Sequence, residues 1–209
     1  MTNPWLNIPA SDYEGHMRAP NVAQTSLLAE IFKESLSNYN CNSIALLGCT
    51  TGNGLEYIDN SITKNLTVID INPEYLKILV KRYGKQIPNL NVVEANLEEY
   101  ENGNQIYSLI FAGLIFEYLN PRILLTKITK WLKTGGVMVS ILQLPEQNIK
   151  KVSKTPYTSL KKLNSIMRLI SAHEFLDIVN ESGLREIKGK RITLKTGKSF
   201  YVGTYEKIA

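Results

Sequence analysis

Only two cysteines and two histidines occur in the 209 residues, and that scarcity closes off whole classes of chemistry. Cys41 and Cys49 stand eight positions apart, on either side of a short apolar run, a placement that a disulfide bridges poorly. We read both as reduced. Neither belongs to a metal-ligand spacing, so no metal site is expected. No apolar run approaches the roughly 18 residues that a bilayer-spanning helix needs. Residues 1–10 lack the charged start and apolar centre of a secretion signal. The expectation is a cytoplasmic protein without a membrane anchor. Internal repeats and low-complexity tracts are also missing, which argues against a solenoid or a disordered tail.

What the chain does have is enough apolar material for one buried core. Hydrophobic residues make up 44% of a 23.6 kDa chain, a size that suits one α/β domain. The net charge of +5 is uneven: 13 Lys/Arg against 6 Asp/Glu from Pro145 onward, and 11 against 13 before it. The basic third contains Lys150, Lys151, Lys154, Lys161 and Lys162 without interleaved aromatics. It therefore reads as a solvated face more readily than as a nucleic-acid surface.

Residues 1–18 show neither helical nor strand periodicity and read as a leader, followed by an amphipathic helix from Asn21 to about Ser37. An apolar run from Ile44 to Leu47 predicts a first strand, and residues 53–59 a helix start after a glycine turn. Residues 66–71 predict a second strand and 73–83 a helix with Pro73 in its first turn. Short strands follow at 91–94, 107–112 and 137–142, with a helix over 121–132 between the last two. Residues 146–162 are polar and have no clear period, and read either as a flexible segment or as a short helix over the ligand-binding edge of the sheet. A helix follows over 171–181, with Ser171 and Glu174 in capping-box spacing. Two strands, 185–193 and 199–205, close the chain as a hairpin. Strands alternating with helices imply a parallel sheet with right-handed crossovers.

The chemistry concentrates between Ser43 and Asp70. The first strand runs into Gly48-Cys49-Thr50-Thr51-Gly52-Asn53-Gly54, and Asp70 closes the second strand 22 positions after Gly48. Glycines let a backbone turn sharply against a ligand, while a carboxylate at the end of the neighbouring strand can accept hydrogen bonds from ribose hydroxyls. The unit is built to hold an adenosine-type cofactor. A bare tight turn, and a capping role for Asp70 or Asn72 before Pro73, are the alternative readings.

The spacing of Gly48, Gly52 and Gly54, with the closing hairpin and the lack of a second catalytic domain, resembles the class I S-adenosylmethionine-dependent methyltransferase family. The resemblance spans residues 40–205. It implies a Rossmann-like doubly wound α/β fold: a seven-stranded sheet in the order 3-2-1-4-5-7-6, strand 7 antiparallel, with helices on both faces. The single domain would divide into a leader and helix forming a lid (1–40), a cofactor-binding core (41–145) and a C-terminal segment with the hairpin (146–209). It implies S-adenosyl-L-methionine as cofactor, with Gly48, Cys49, Thr50, Gly52 and Gly54 in the turn under its methionine part. Asp70 would hold the ribose, Ile71 would sit beside the adenine, Asn96 and the Leu97 backbone would meet the adenine amino group, and Ala112 and Gly113 would run past the sulfonium. Three positions depart from the family pattern: Leu46 and Ser108 stand where acids are usual, and Thr50 where a second glycine is common. Gln24 or a backbone carbonyl is the candidate to replace the acid at Leu46.

Candidate catalytic residues are Glu117 and Tyr118, just beyond the fourth strand where α/β sheets carry their reactive groups, and Tyr13 and His16 in the leader. The expected reaction is in-line methyl transfer to a small molecule, because only the leader and residues 146–162 are available to form a lid. An RNA or protein methyltransferase, a catalytically silent cofactor-binding scaffold, and least of all a nicotinamide-dependent oxidoreductase are the rival readings. The expected assembly is a monomer or a homodimer.

Overall fold

The computed structural model describes residues 3–208. Five α-helices and seven strands follow each other as α1 (Ala10–Arg18), α2 (Gln24–Asn38), β1 (Ser43–Leu47), β2 (Asn65–Asp70), α3 (Pro73–Tyr83), β3 (Leu90–Glu94), β4 (Tyr107–Gly113), α4 (Pro121–Trp131), β5 (Leu132–Gln143), α5 (Ala172–Glu181), β6 (Leu184–Thr193) and β7 (Ser199–Lys207). The strands form one sheet in the order β3-β2-β1-β4-β5-β7-β6. The first five are parallel, and β7 runs antiparallel between β5 and β6. This is the expected doubly wound arrangement, with strand 7 reversed.

Strand alternation divides the core into two layers. Ala45 and Leu47 of β1 face Leu124, Leu125 and Ile128 of α4 and Phe175 and Val179 of α5. Ile44 and Leu46 face Ile31 and Phe32 of α2 and Leu76 and Leu79 of α3. Helix starts follow local chemistry. Asn72 and Asn120 each precede a proline, and their side chains accept the N–H groups of Glu74 and Arg122 at 3.0 Å. Ser171 caps α5 by accepting the Glu174 N–H at 3.1 Å.

Three expectations need correction. Residues 10–18 of the supposed leader are a helix, preceded by a 3-10 turn at Pro4–Asn7. Its sequence is mostly polar and only His16 and Met17 are buried, so it lacks the apolar stripe by which a helix is read from sequence. Tertiary bonds hold it instead. Glu14 takes a two-pronged ion pair from Arg82 of α3 at 2.5 and 3.2 Å and the Thr51 hydroxyl at 2.6 Å. Between β1 and β2 there is only a 3-10 turn, Leu55–Tyr57, rather than a helix. That connection carries Gly52 and Gly54 at φ near +90°, a backbone incompatible with helix. β5 begins at Leu132, earlier than expected: Leu132 pairs with Tyr107 and Val137 with Leu109, so the stretch containing Gly135 and Gly136 bulges out of the ladder. The 146–162 segment, for which a short helix is one reading, runs at its end into 3-10 structure at Thr158–Ser165.

Ser108, standing where the family pattern has an acid, locks β4 to β1. Its hydroxyl accepts the Ser43 N–H at 3.0 Å and donates to the Ser43 carbonyl at 2.9 Å. No helix among the described residues is long and apolar enough to cross a membrane.

Candidate functional site

The carboxyl ends of β1, β2 and β4 open into one cleft, where a switch in strand order leaves a crevice. β1 runs into Gly48 at φ +64°, Thr50 at +48°, Gly52 at +90° and Gly54 at +92°. The turn is stitched to β2, because the Gly48 and Cys49 N–H groups both donate to the Ile69 carbonyl, at 2.9 and 3.2 Å. The left-handed conformation of Thr50, costly for a branched residue, is held by its N–H donating to Asp70 Oδ2 at 2.8 Å. Asp70 Oδ1 accepts the Asn72 N–H at 2.9 Å. The glycine turn and the carboxylate thus form one hydrogen-bonded unit. Each oxygen keeps a lone pair for a ligand hydroxyl. Burial pushes the Asp70 carboxyl up to about 6, against the backbone N–H groups that stabilise its charged form.

The cleft has an envelope of about 1040 Å³ that includes its open mouth. Gly48, Thr50, Asp70, Ile71, Asn96 and Leu97 line one end, and Gly113 lies beyond them. A Cβ on Gly48 would approach Ile115 Cδ1 to 2.9 Å, so the bare backbone leaves room between turn and wall. Trp5 adds a buried indole N–H with no acceptor among the described residues, a donor available to a ligand. Gln24, offered as a substitute for the acid absent at Leu46, is buried and lines the cleft, while Leu46 packs in the core. These residues fit an adenosine-containing cofactor.

Other candidates of the glycine segment serve the scaffold. Gly52 faces Tyr83 and Leu79 of α3, and Gly54 faces Phe32 of α2; neither lines the cleft. Cys49 and Ala112 are buried in the two core layers.

Tyr13, His16 and Tyr118 do line the cleft. The Trp5 ring stands edge-on to both Tyr13 and Tyr118, with centroids 6.1 and 5.0 Å away. This aromatic roof is tied to the other flank: Ser159 donates to Asp12 Oδ2 at 2.6 Å, Asn21 to the Lys154 carbonyl at 2.8 Å, and His16 Nδ1 lies 2.9 Å from Thr155 Oγ1. Burial pushes the Tyr13 hydroxyl up to about 12 and raises Tyr118 further, so both stay protonated. Burial first, and then the charge of Lys198, push His16 down to about 4, which keeps its ring neutral.

Glu117, expected as a base, does not line the cleft. It is 1% exposed, and its Oε1 accepts the backbone N–H of Gln143 at 2.6 Å behind the cleft wall. The chain turns there so that Tyr118 faces the cavity and its neighbour faces inward. Its carbonyl accepts the Arg168 N–H at 2.7 Å, which makes it a strut beneath the roof. Sequence reading also passed over Trp5, Gln143 and Lys198, all of which line the cleft. An isolated Trp-Leu pair in a polar leader was a readable sign of packing for Trp5; Lys198, in an ordinary hairpin turn, carried none.

Residues 44–136 match a family model described as a methyltransferase domain. No curated protein sequence matches the chain. Among solved structures, the N-methyltransferase NodS from Bradyrhizobium japonicum WM9, in complex with S-adenosyl-L-homocysteine, superposes with a TM-score of 0.69 at 16% identity, covering 94% of this chain and 98% of that one. The CcbJ methyltransferase from Streptomyces caelestis gives 0.66 at 15% identity, covering 86% and 94%. The [4+2]-cyclase SpnF gives 0.69 at 12% identity, covering 90% and 82%.

Proposed function

Because residues 44–136 match a methyltransferase-domain model, we propose that this chain is a class I methyltransferase that uses S-adenosyl-L-methionine to methylate a small-molecule acceptor by in-line displacement. The observation that carries this reading is the coupling of the Gly48–Thr50 turn to Asp70, with turn and carboxylate lining one cleft. When bound, S-adenosylmethionine supplies a methyl group made electrophilic by its cationic sulfur.

The chain's own contribution is placement. Asp70 takes the ribose hydroxyls, Ile71 and Leu97 flank the adenine, and Asn96 offers it a polar edge. The backbone from Gly48 to Thr50 and at Gly113 leaves space for the methionine part. Alignment and exclusion of water can contribute about 7–11 kcal/mol to such a reaction. The roof of Trp5, Tyr13 and Tyr118, anchored to residues 154–159, narrows the approach and favours a small acceptor over a polymer. With their protons retained, Tyr13 and Tyr118 orient the acceptor as donors. His16, neutral and in the cleft, serves to orient the acceptor by hydrogen bonding, since burial and Lys198 disfavour its protonated form. The same architecture carries a [4+2]-cyclase, so the release of S-adenosylhomocysteine is the required readout.

Calorimetric titration of the full chain with S-adenosylmethionine tests the reading. Asp70→Ala removes a charged acceptor and should weaken binding by roughly tenfold to a hundredfold. Equal affinity of both proteins removes Asp70 from the site. Folded protein that binds NAD and not S-adenosylmethionine overturns the proposal.

A further inference from the structure

Lys198 lies just before β7 and is only 4% exposed, yet it lines the cleft. Its ammonium donates to Gln143 Oε1 at 3.2 Å and to the Lys151 carbonyl at 2.9 Å. Gln143 is itself fixed, since its Nε2 donates to the same Lys151 carbonyl at 3.0 Å and its backbone N–H to Glu117. Two of the three ammonium N–H groups are therefore satisfied by neutral acceptors. The third has no protein partner among the described residues.

A buried charge without a counter-ion is costly and is normally paired. Among the described residues no carboxylate lies within ion-pairing distance of Lys198. The neighbouring groups do not compensate for it. His16 is neutral, Lys151 adds a second positive charge whose ammonium donates to the Met167 carbonyl at 2.9 Å, and Glu117 sits behind Gln143. Burial lowers the Lys198 ammonium to about 8, so a cation persists at neutral pH at a cost that an anion would offset.

The position of this cation separates it from the cofactor. Asp70 ends β2, and the sheet runs β2-β1-β4-β5-β7, so the Lys198 backbone is four strand steps away and Gln143, which its ammonium reaches, three, roughly 19 and 14 Å at about 4.8 Å per step. A cofactor held on β2, β1 and β4 leaves the β5–β7 end of the cleft to the second reactant. We infer that the methyl acceptor carries an anionic group, a carboxylate or a phosphate, that docks on the Lys198 ammonium. Lys198 thereby selects the acceptor, with Gln143 as the residue that positions it. This rests on the methyltransferase reading of the cleft.

The test uses the full chain saturated with S-adenosylhomocysteine, titrated by calorimetry with benzoate, phenyl phosphate and the neutral benzamide. At least one anion should bind about tenfold tighter than benzamide, as a charge-assisted hydrogen bond in a buried site implies. The better of the two separates carboxylate from phosphate recognition. Lys198→Met, close in length and uncharged, should abolish the preference while S-adenosylhomocysteine binds as before. The wild-type comparison decides the matter by itself if that variant folds poorly. S-adenosylhomocysteine binding with no anion preference, or with a preference that survives Lys198→Met, overturns the acceptor assignment alone. Failure of S-adenosylhomocysteine to bind the wild type overturns the cofactor reading, and this inference with it.

Discussion

Replacing Glu117 by Gln should change the pH dependence of stability more than the stability itself. The carboxyl is 1% exposed, its Oε1 accepts the Gln143 N–H, and its Oε2 has no partner among the described residues. Burial outweighs the hydrogen bonds and pushes it from an ordinary 4.5 up to about 7. Below about pH 4.5 folded and unfolded chains both hold the proton and the site has no effect. Between there and about pH 7 the folded chain keeps a proton that the unfolded chain has released, so stability falls as pH rises. At about 1.4 kcal/mol per pKa unit, the loss approaches about 3 kcal/mol by pH 8. Glu117→Gln keeps the acceptor for Gln143, has nearly the same shape and cannot ionise. Its buried amide N–H groups cost a constant amount that does not vary with pH. Urea unfolding followed by circular dichroism should show the wild type losing about 3 kcal/mol relative to the variant from about pH 4.5 to pH 8, or about 1.5 M in midpoint at a slope of about 2 kcal/mol/M. Asp70 and His16 titrate in both proteins and cancel in the difference. Parallel profiles would show that Glu117 is hydrated or paired in solution, and the account of it as a dry strut would fail.

The glycines of the turn should separate by role. Gly52→Ala forces a side chain into φ +90° within 2.8 Å of the Tyr83 ring; stability should drop by about 2 kcal/mol or more in denaturant titrations. Gly48→Ala carries the left-handed cost but meets only the flexible end of Ile115. It should unfold closer to wild type, by about 1–2 kcal/mol, while losing more affinity for S-adenosylhomocysteine than Gly52→Ala. The reverse ranking would relocate the cofactor away from Gly48. His16 works in the opposite sense to Glu117: pushed below its ordinary 6.5 to about 4 by burial and then by Lys198, it favours folding above pH 6.5 and withdraws that support as pH falls towards 4. His16→Gln should therefore flatten the acid limb of the stability profile. An unchanged limb would mean that the ring is charged in the folded chain.

Where an element depends on its own residues, sequence reading located it. Helices α3 and α4 are bounded by Asn-Pro pairs whose side chains close the first turn, and apolar runs bounded by turn residues define β1, β2 and β4. Where an element depends on a distant partner, reading failed. Helix α1 is held by Arg82 and Thr51, 68 and 37 positions from Glu14, and no local pattern records that bond.

The succession of strands and helices along the chain, the glycine turn and the acid at the end of β2 are local properties of spacing and residue type; the sheet order came from the family resemblance they carry, and Gly48, Thr50 and Asp70 line one cleft. The opposite end of the cleft was decided by tertiary structure alone. There β5 and the β6–β7 hairpin bring Gln143 and Lys198 together, 55 positions apart, and a turn after β4 sends Tyr118 into the cavity and Glu117 away from it. Burial gives each of these side chains its chemistry, and burial belongs to the packed chain rather than to any segment of it.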